Sequence, residues 1–208
     1  MKSRFWIPIG FTTAVLLADQ ASKIWVKTNM MLGEHFNVAG QWFQIYFIEN
    51  NGMAFGMELG GEWGKLALTL FRLVAVGGIL YIIRKMLKSN KARVGALAAL
   101  SLVLAGALGN IIDSVCYGPL FGYERWFHGR VVDMLYFPLW QGFLPQWLPL
   151  WGGDYFIFFR PVFNVADTAI TTGVAMLLVF QRRYFPPDAA PTSPSETPES
   201  SSPNDGGQ

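Results

Sequence analysis

Four stretches of this 208-residue chain are each apolar for about the length of a helix that crosses a lipid bilayer, and that feature limits the fold more than any other. A hydrocarbon core about 30 Å thick takes roughly 20 mostly apolar residues in helical form. The windows Phe5–Val26, Leu66–Ile83, Val94–Val115 and Val162–Phe180 meet that requirement. The expected fold class is therefore an all-α membrane protein of four transmembrane helices. The first window follows Lys2 and Arg4, as a secretory signal would, but no clean small-residue cleavage site comes after it. Asp19 and Lys23 also interrupt it, so it reads as a span.

Composition agrees with a bilayer as solvent. The chain is 52% hydrophobic and only 14% charged, whereas charged residues approach a quarter of an ordinary soluble domain. Net charge is +2. The basic residues gather near span ends rather than along a face that could track phosphates, which excludes nucleic acid as a partner. Cys116 is the single cysteine, so no intramolecular disulfide forms, and His35 and His128 are too few to build a zinc site. Neither a metal nor another cofactor is expected.

Arg84, Lys85, Lys88, Lys91 and Arg93 crowd the short second connection, and basic loops stay in the cytoplasm. With four spans the same topology puts Lys2 and Arg4, and Arg182 and Arg183, on that side, so both termini are expected to be cytoplasmic. Residues 1–185 read as one membrane domain. Residues 186–208 are almost wholly Pro, Ser, Thr, Glu, Asp, Gly and Ala, too polar to offset their ordering entropy, and read as a disordered tail. The first outer connection carries the run Trp42–Ile48 followed by Asn50-Asn51-Gly52, which predicts a short strand and turn. The second, about Cys116 to Pro161, is rich in Trp, Phe, Tyr and Pro and is expected to rest at the headgroup level. A small extracytoplasmic β-type loop region thus joins the helical class.

Ionisable residues inside spans are costly and normally face a bundle interior, pair, or mark a functional site. Here Asp19 and Lys23 fall in the last two turns of the first span, Asn110 and Asp113 in those of the third, and Asn164 and Asp167 in the first two turns of the fourth. Given the topology, all six approach the outer surface. Spacings of three and four put each pair on one helix face, while Gly106, Gly109 and Ala166 permit close helix approach. Interhelical bonding alone would explain one such pair; three at one level favour a site. Asp133 lies outside the spans in an apolar stretch. Two carboxylates in a low-dielectric pocket share a proton, one acting as general base and the other as general acid, which is the chemistry of metal-free peptide hydrolysis. The residues alone leave open which two of Asp19, Asp113, Asp133 and Asp167 form the pair.

In chain order, Asp19-Gln20-Ala21-Ser22-Lys23, Asn50-Asn51-Gly52-Met53-Ala54-Phe55, Gly106–Asp113, Val131-Val132-Asp133 and Phe163-Asn164-Val165-Ala166-Asp167 form a series that resembles lipoprotein signal peptidase, the signal peptidase II family. The resemblance covers about residues 5 to 183. It implies an aspartic endopeptidase of the bacterial inner membrane, with its active site near the outer face. The implied reaction removes signal peptides from diacylglyceryl-modified prolipoproteins, with the cut just before the lipidated cysteine. It implies Asp133 and Asp167 as the catalytic dyad, and Asn110, Asp113, Asn164 and Ala166 as supports of the dyad and the scissile segment. Asn50 and Gly52 belong, by the same resemblance, to an outer loop that cradles substrate, and Asp19 with Lys23 to a polar pair behind the site. The implied partners are prolipoproteins and membrane lipids, and a monomer is expected.

Two departures stand out. Ser114 occupies a position where the family usually has arginine, so a charge partner for Asp113 must come from elsewhere or be absent. The tract Leu135–Arg160 also lengthens the interval between Asp133 and Asp167, and reads as an elaborated membrane-surface loop. The competing function is a small transporter or ion relay using intramembrane carboxylates. A relay would spread polar groups across the membrane, whereas the inner halves of these spans are nearly free of them, Arg72 being the chief exception.

Overall fold

The computed structural model describes residues 2–51, 61–89 and 93–185. Along the chain come helix α1 (Lys2–Asn29), strands β1 (His35–Ala39) and β2 (Phe43–Asn50), and helices α2 (Gly61–Lys88) and α3 (Val94–Leu120). Strands β3 (Val131–Tyr136), β4 (Trp140–Phe143), β5 (Tyr155–Phe158) and β6 (Val162–Phe163) follow, then helix α4 (Val165–Val179) and a last helical turn, α5 (Gln181–Tyr184). Gly52 and the adjoining Met53, Ala54 and Phe55, and the tail from 186 to 208, lie outside the described residues.

Two helices among the described residues, Trp63–Lys88 within α2 and the whole of α3, are long and apolar enough to cross a membrane. The 28 residues of α1 give it the length, but Asp19, Gln20 and Lys23 make it more polar. The fourth window is shorter as a helix than its apolar run. Val162 and Phe163 are drawn into strand β6, and Asn164 then caps α4, which has 15 residues. At 1.5 Å per residue that is about 22 Å, less than a full hydrocarbon thickness.

Helix α3 is the hub, packed against α1, α2 and α4. Its sequence explains why: Ala96, Ala98, Ala99, Ala105, Gly106, Ala107 and Gly109 keep its surface small, and all are buried. Lipid tails are as apolar as leucine, so helices associate in a membrane through close packing and polar contacts, which small residues permit. A Cβ on Gly106 would lie 2.2 Å from the Ala166 carbonyl oxygen, and one on Gly109 would lie 2.5 Å from Asp19 Oδ2. Both glycines therefore set the distance at which α4 and α1 meet α3. Helix α2 touches α3 along Val76 and Ile83, against Leu97, Leu100 and Leu104, and turns Leu70, Phe71, Val74 and Tyr81 outward.

The β structure is larger than an all-α label with β-type loops conveys. Four strands form an antiparallel sheet in the order β1-β2-β3-β6, and β4 pairs with β5 separately. Strand β2 fulfils the expectation of a strand in the first connection. Strand β3 is not signalled by alternation, because Val131–Tyr136 is an apolar run broken by one aspartate, and periodicity cannot separate such a run from a helical segment. Its register with β2 sets Ile48 opposite Asp133 and Asn50 opposite Val131. Leu135 lies opposite Phe163 of β6, and Phe137 stacks between Phe43 at 4.6 Å and Phe163 at 5.7 Å. The chain thus leaves the sheet at Phe163 and enters α4 at once, with Asn164 as the hinge. The Leu135–Arg160 tract contains the β4–β5 hairpin, with Trp140 opposite Phe158 and Phe143 opposite Tyr155.

Candidate active site

Three helices and two strands deliver polar side chains to one buried centre. On α1, Asp19 and Lys23 are four residues apart, and both are fully buried. The Lys23 ammonium lies 2.9 Å from Asp19 Oδ2 and 2.7 Å from Asp113 Oδ2 on α3, and donates to Asn110 Oδ1 at 3.0 Å. A lysine buried to this degree is stable only if its three protons find acceptors. Here they do, on three side chains from two helices. Lys23 is also the charge partner that Asp113 requires in the presence of Ser114.

Asp19 reaches further than its own helix, accepting from the Ala166 backbone N–H at 2.8 Å. That N–H belongs to the first turn of α4, where unpaired backbone donors and the helix dipole favour a carboxylate. Gln20 completes the cluster. Its side-chain amide donates to Asp113 Oδ1 at 3.0 Å and to Asp19 Oδ2 at 3.1 Å, while its oxygen accepts from the Tyr117 hydroxyl at 3.1 Å. Gln20 and Tyr117 carry no role in the sequence reading. The signals were present, since Gln20 adjoins Asp19 and Tyr117 lies four residues beyond Asp113 on a buried face, but only the fold shows that they meet.

Asn164 is the keystone. As N-cap of α4 its side-chain oxygen accepts from the Asp167 N–H at 2.9 Å, and Asp167 Oδ2 accepts from the Asn164 N–H at 3.4 Å, a reciprocal capping box. Its amide nitrogen donates to Asp133 Oδ1 at 2.7 Å and to the Val132 carbonyl at 3.3 Å. One asparagine therefore fixes both Asp133 and Asp167. Asn110 steadies the second of these by donating to Asp167 Oδ1 at 2.9 Å. Asn50, delivered by β2, donates to Asp133 Oδ2.

Of the residues singled out in the sequence, the structure brings together Asp19, Lys23, Asn50, Asn110, Asp113, Asp133, Asn164, Ala166 and Asp167 in one network; Gly52 lies outside the described residues. Asp133 is 2% exposed, whereas Asp167 is half-buried. Burial, reinforced by the negative charge of Asp167 and opposed by the Asn164 hydrogen bond, pushes the Asp133 carboxyl up to about 7. Near neutral pH it can therefore hold a proton and give it up. Arg72 also departs from the sequence reading: its guanidinium donates to Ser114 Oγ at 3.4 Å, one helical turn from Asn110, so it borders this centre instead of standing apart in the apolar half of its helix. Among the described residues no group of three or more His, Cys, Asp or Glu is arranged to hold a metal ion.

Apolar helices around a buried acidic centre, with one carboxyl poised near neutrality, define a helical membrane protein equipped for acid–base chemistry. The chain belongs to the signal peptidase (SPase) II family, whose sequence profile matches residues 11–182, and it is accordingly a bacterial membrane protease. The lipoprotein signal peptidase of Porphyromonas gingivalis is 48% identical over 206 residues, covering 91% of this chain and 89% of its own length. That of Amoebophilus asiaticus is 38% identical, covering 88% of this chain and 80% of its own. A bacterial membrane enzyme solved by the in meso method at 2.3 Å resolution shares the fold with a TM-score of 0.56 and 26% identity, over 85% of this chain and 87% of that one.

Proposed function

We propose that this protein is an aspartic endopeptidase that removes the signal peptide from diacylglyceryl-modified prolipoproteins, cutting before the lipidated cysteine, with Asp133 and Asp167 as the catalytic pair. The observation that carries the reading is the Asn164 bridge, which fixes two carboxylates from different elements side by side while burial keeps a proton on one of them near neutral pH. Asp167, the more accessible, takes a proton from water as its oxygen attacks the scissile carbonyl carbon. Asp133 gives its proton to the carbonyl oxygen, forming a neutral tetrahedral diol. Collapse of the diol breaks the C–N bond; the amine leaves with a proton from Asp167, and Asp133 regains its own from the diol hydroxyl. Asn50 and Asn164 orient Asp133, Asn110 orients Asp167, and the Asp19–Lys23–Asp113 cluster supports the floor of the site. Gly52 belongs to the substrate-cradling loop by family resemblance.

In this reading α1, α2, α3 and α4 each cross the inner membrane, with α5 extending the short α4 by a turn. The termini and the basic 84–93 segment are cytoplasmic and the dyad lies near the outer face. Residues 1–185 suffice as a monomeric peptidase domain, and the 186–208 tail takes no part in catalysis. The names of the relatives support the substrate class, and the single level of the acidic groups favours a peptidase over an ion relay. The test incubates purified protein with a lipid-modified prolipoprotein and with its unlipidated counterpart. Cleavage of the lipidated form alone, lost in Asp133→Asn and in Asp167→Asn, is the expected result. Equal cleavage of both forms would sink the substrate assignment.

A further inference from the structure

Arg72 is the sole charged residue between Leu66 and Ile83, and an ionised group in such a segment persists only with partners or a task. Its Nη1 lies 3.4 Å from Ser114 Oγ. Ser114 is buried, and its one hydroxyl proton is donated to the Asn110 carbonyl at 2.8 Å. The serine oxygen can therefore only accept from the guanidinium, so the direction of this contact is fixed. The same Asn110 donates its side-chain amide to Asp167 at 2.9 Å. Arg72 is thus coupled through two residues of α3 to one member of the carboxylate pair.

We infer that Arg72, held on Ser114, is a positioning residue of the active site whose charge decides which dyad carboxylate stays ionised. This rests on the reading of Asp133 and Asp167 as the dyad. The other charged groups at the centre are Asp19 and Lys23 from α1, Asp113 from α3, Asp167 from α4 and Asp133 from β3, with the Tyr117 hydroxyl beside them. With one proton shared by the dyad, three negative charges face the two positive charges of Lys23 and Arg72. Lys23 is committed to Asp19 and Asp113. The chain of contacts from Arg72 through Ser114 and Asn110 ends on Asp167, whereas Asp133 is held by Asn50 and Asn164. These contacts make the dyad asymmetric: the cation stands on the Asp167 side, and the shared proton resides on the buried Asp133.

The test compares Arg72→Gln, Arg72→Lys and Ser114→Ala with the parent, in detergent micelles, on a fluorogenic diacylglyceryl lipopeptide. The readouts are kcat, KM and the pH profile of kcat/KM. Removing the cation disfavours the singly ionised dyad, so in Arg72→Gln the acid limb moves to higher pH by about one unit or more. In the same variant kcat falls at least about tenfold, while KM changes by less than about threefold. Arg72→Lys keeps the charge, so its acid limb stays with the parent's and most of kcat returns. Ser114→Ala loosens the tether and gives a smaller shift in the same direction. An unshifted limb in Arg72→Gln overturns the inference, whether kcat is kept or lost; should that variant fail to fold, an unshifted limb in Ser114→Ala does so. A parent that cannot cleave the lipopeptide, or an active Asp167→Asn, would overturn the dyad reading and this one together. Normal dyad variants beside an indifferent Arg72 would overturn this one alone.

Discussion

Asp133→Asn should change the pH dependence of stability as well as abolish turnover. Asp133 is held near 7 in the folded protein by burial and by the charge of Asp167, against about 3.9 for an aspartate in an unfolded chain. Between those values the native state keeps a proton that the unfolded state has released. Stability contributed by this group is therefore fully present below pH 4 and is lost as pH rises through 7. Roughly three pH units at 1.36 kcal/mol each give a ceiling of about 4 kcal/mol lost by the parent between pH 4 and pH 8. An asparagine has no proton to lose and keeps that stability. A protonated carboxyl can still accept at both oxygens, whereas an amide offers one acceptor oxygen to the two amide donors of Asn50 and Asn164, so the variant carries a pH-independent deficit that is the same at both pH values. Comparing parent and variant at both pH values cancels the other titrating groups. The measurement is denaturant unfolding in mixed micelles followed by tryptophan fluorescence, with lipopeptide cleavage recorded on the same preparations. The variant should gain about 2–4 kcal/mol on the parent between pH 4 and pH 8. A double difference within about 0.5 kcal/mol of zero would refute the raised Asp133 carboxyl.

Lys23→Met leaves Asp19 and Asp113 buried without their shared cation, and should destabilise the fold by about 3–5 kcal/mol; a loss under about 1 kcal/mol on unfolding in micelles would contradict the pairing seen here. Hydrolysis should persist in a strong chelator, because the proposed chemistry runs on two carboxylates, whereas activity lost on chelation and restored by a divalent ion would count against it. A cysteine introduced at Lys88 in a Cys116-free background should resist an impermeant thiol reagent added from outside. Labelling from that side would invert the topology and separate the dyad from an outer-face substrate.

Local chemistry was enough to determine the apolar spans, the gathering of Asp19, Lys23, Asn110, Asp113, Asn164 and Asp167 towards one end of them, and the pairings along a single helix or cap. Asp19 with Lys23 and Asn164 with Asp167 follow from spacings of three and four residues, which hold wherever the helix happens to sit. The sequence also held the family motifs, whose order fixed Asp133 and Asp167 as candidates. Which side chains meet across elements was decided only by the tertiary structure. Lys23 reaches Asp113 and Asp19 reaches the backbone of Ala166 across helix contacts whose closeness depends on Gly106 and Gly109, while Arg72 turns to Ser114 from α2. Val131–Tyr136 became a strand because β2 and β6 offer it ladders, although its apolar run has no strand period. The same pairing pulls Val162 and Phe163 out of the fourth apolar window and sets Asn164 as a cap between Asp133 and Asp167. Hydropathy is a sum over one segment, whereas this site is made of hydrogen bonds between segments, and such bonds exist only once the helices and the sheet have packed together.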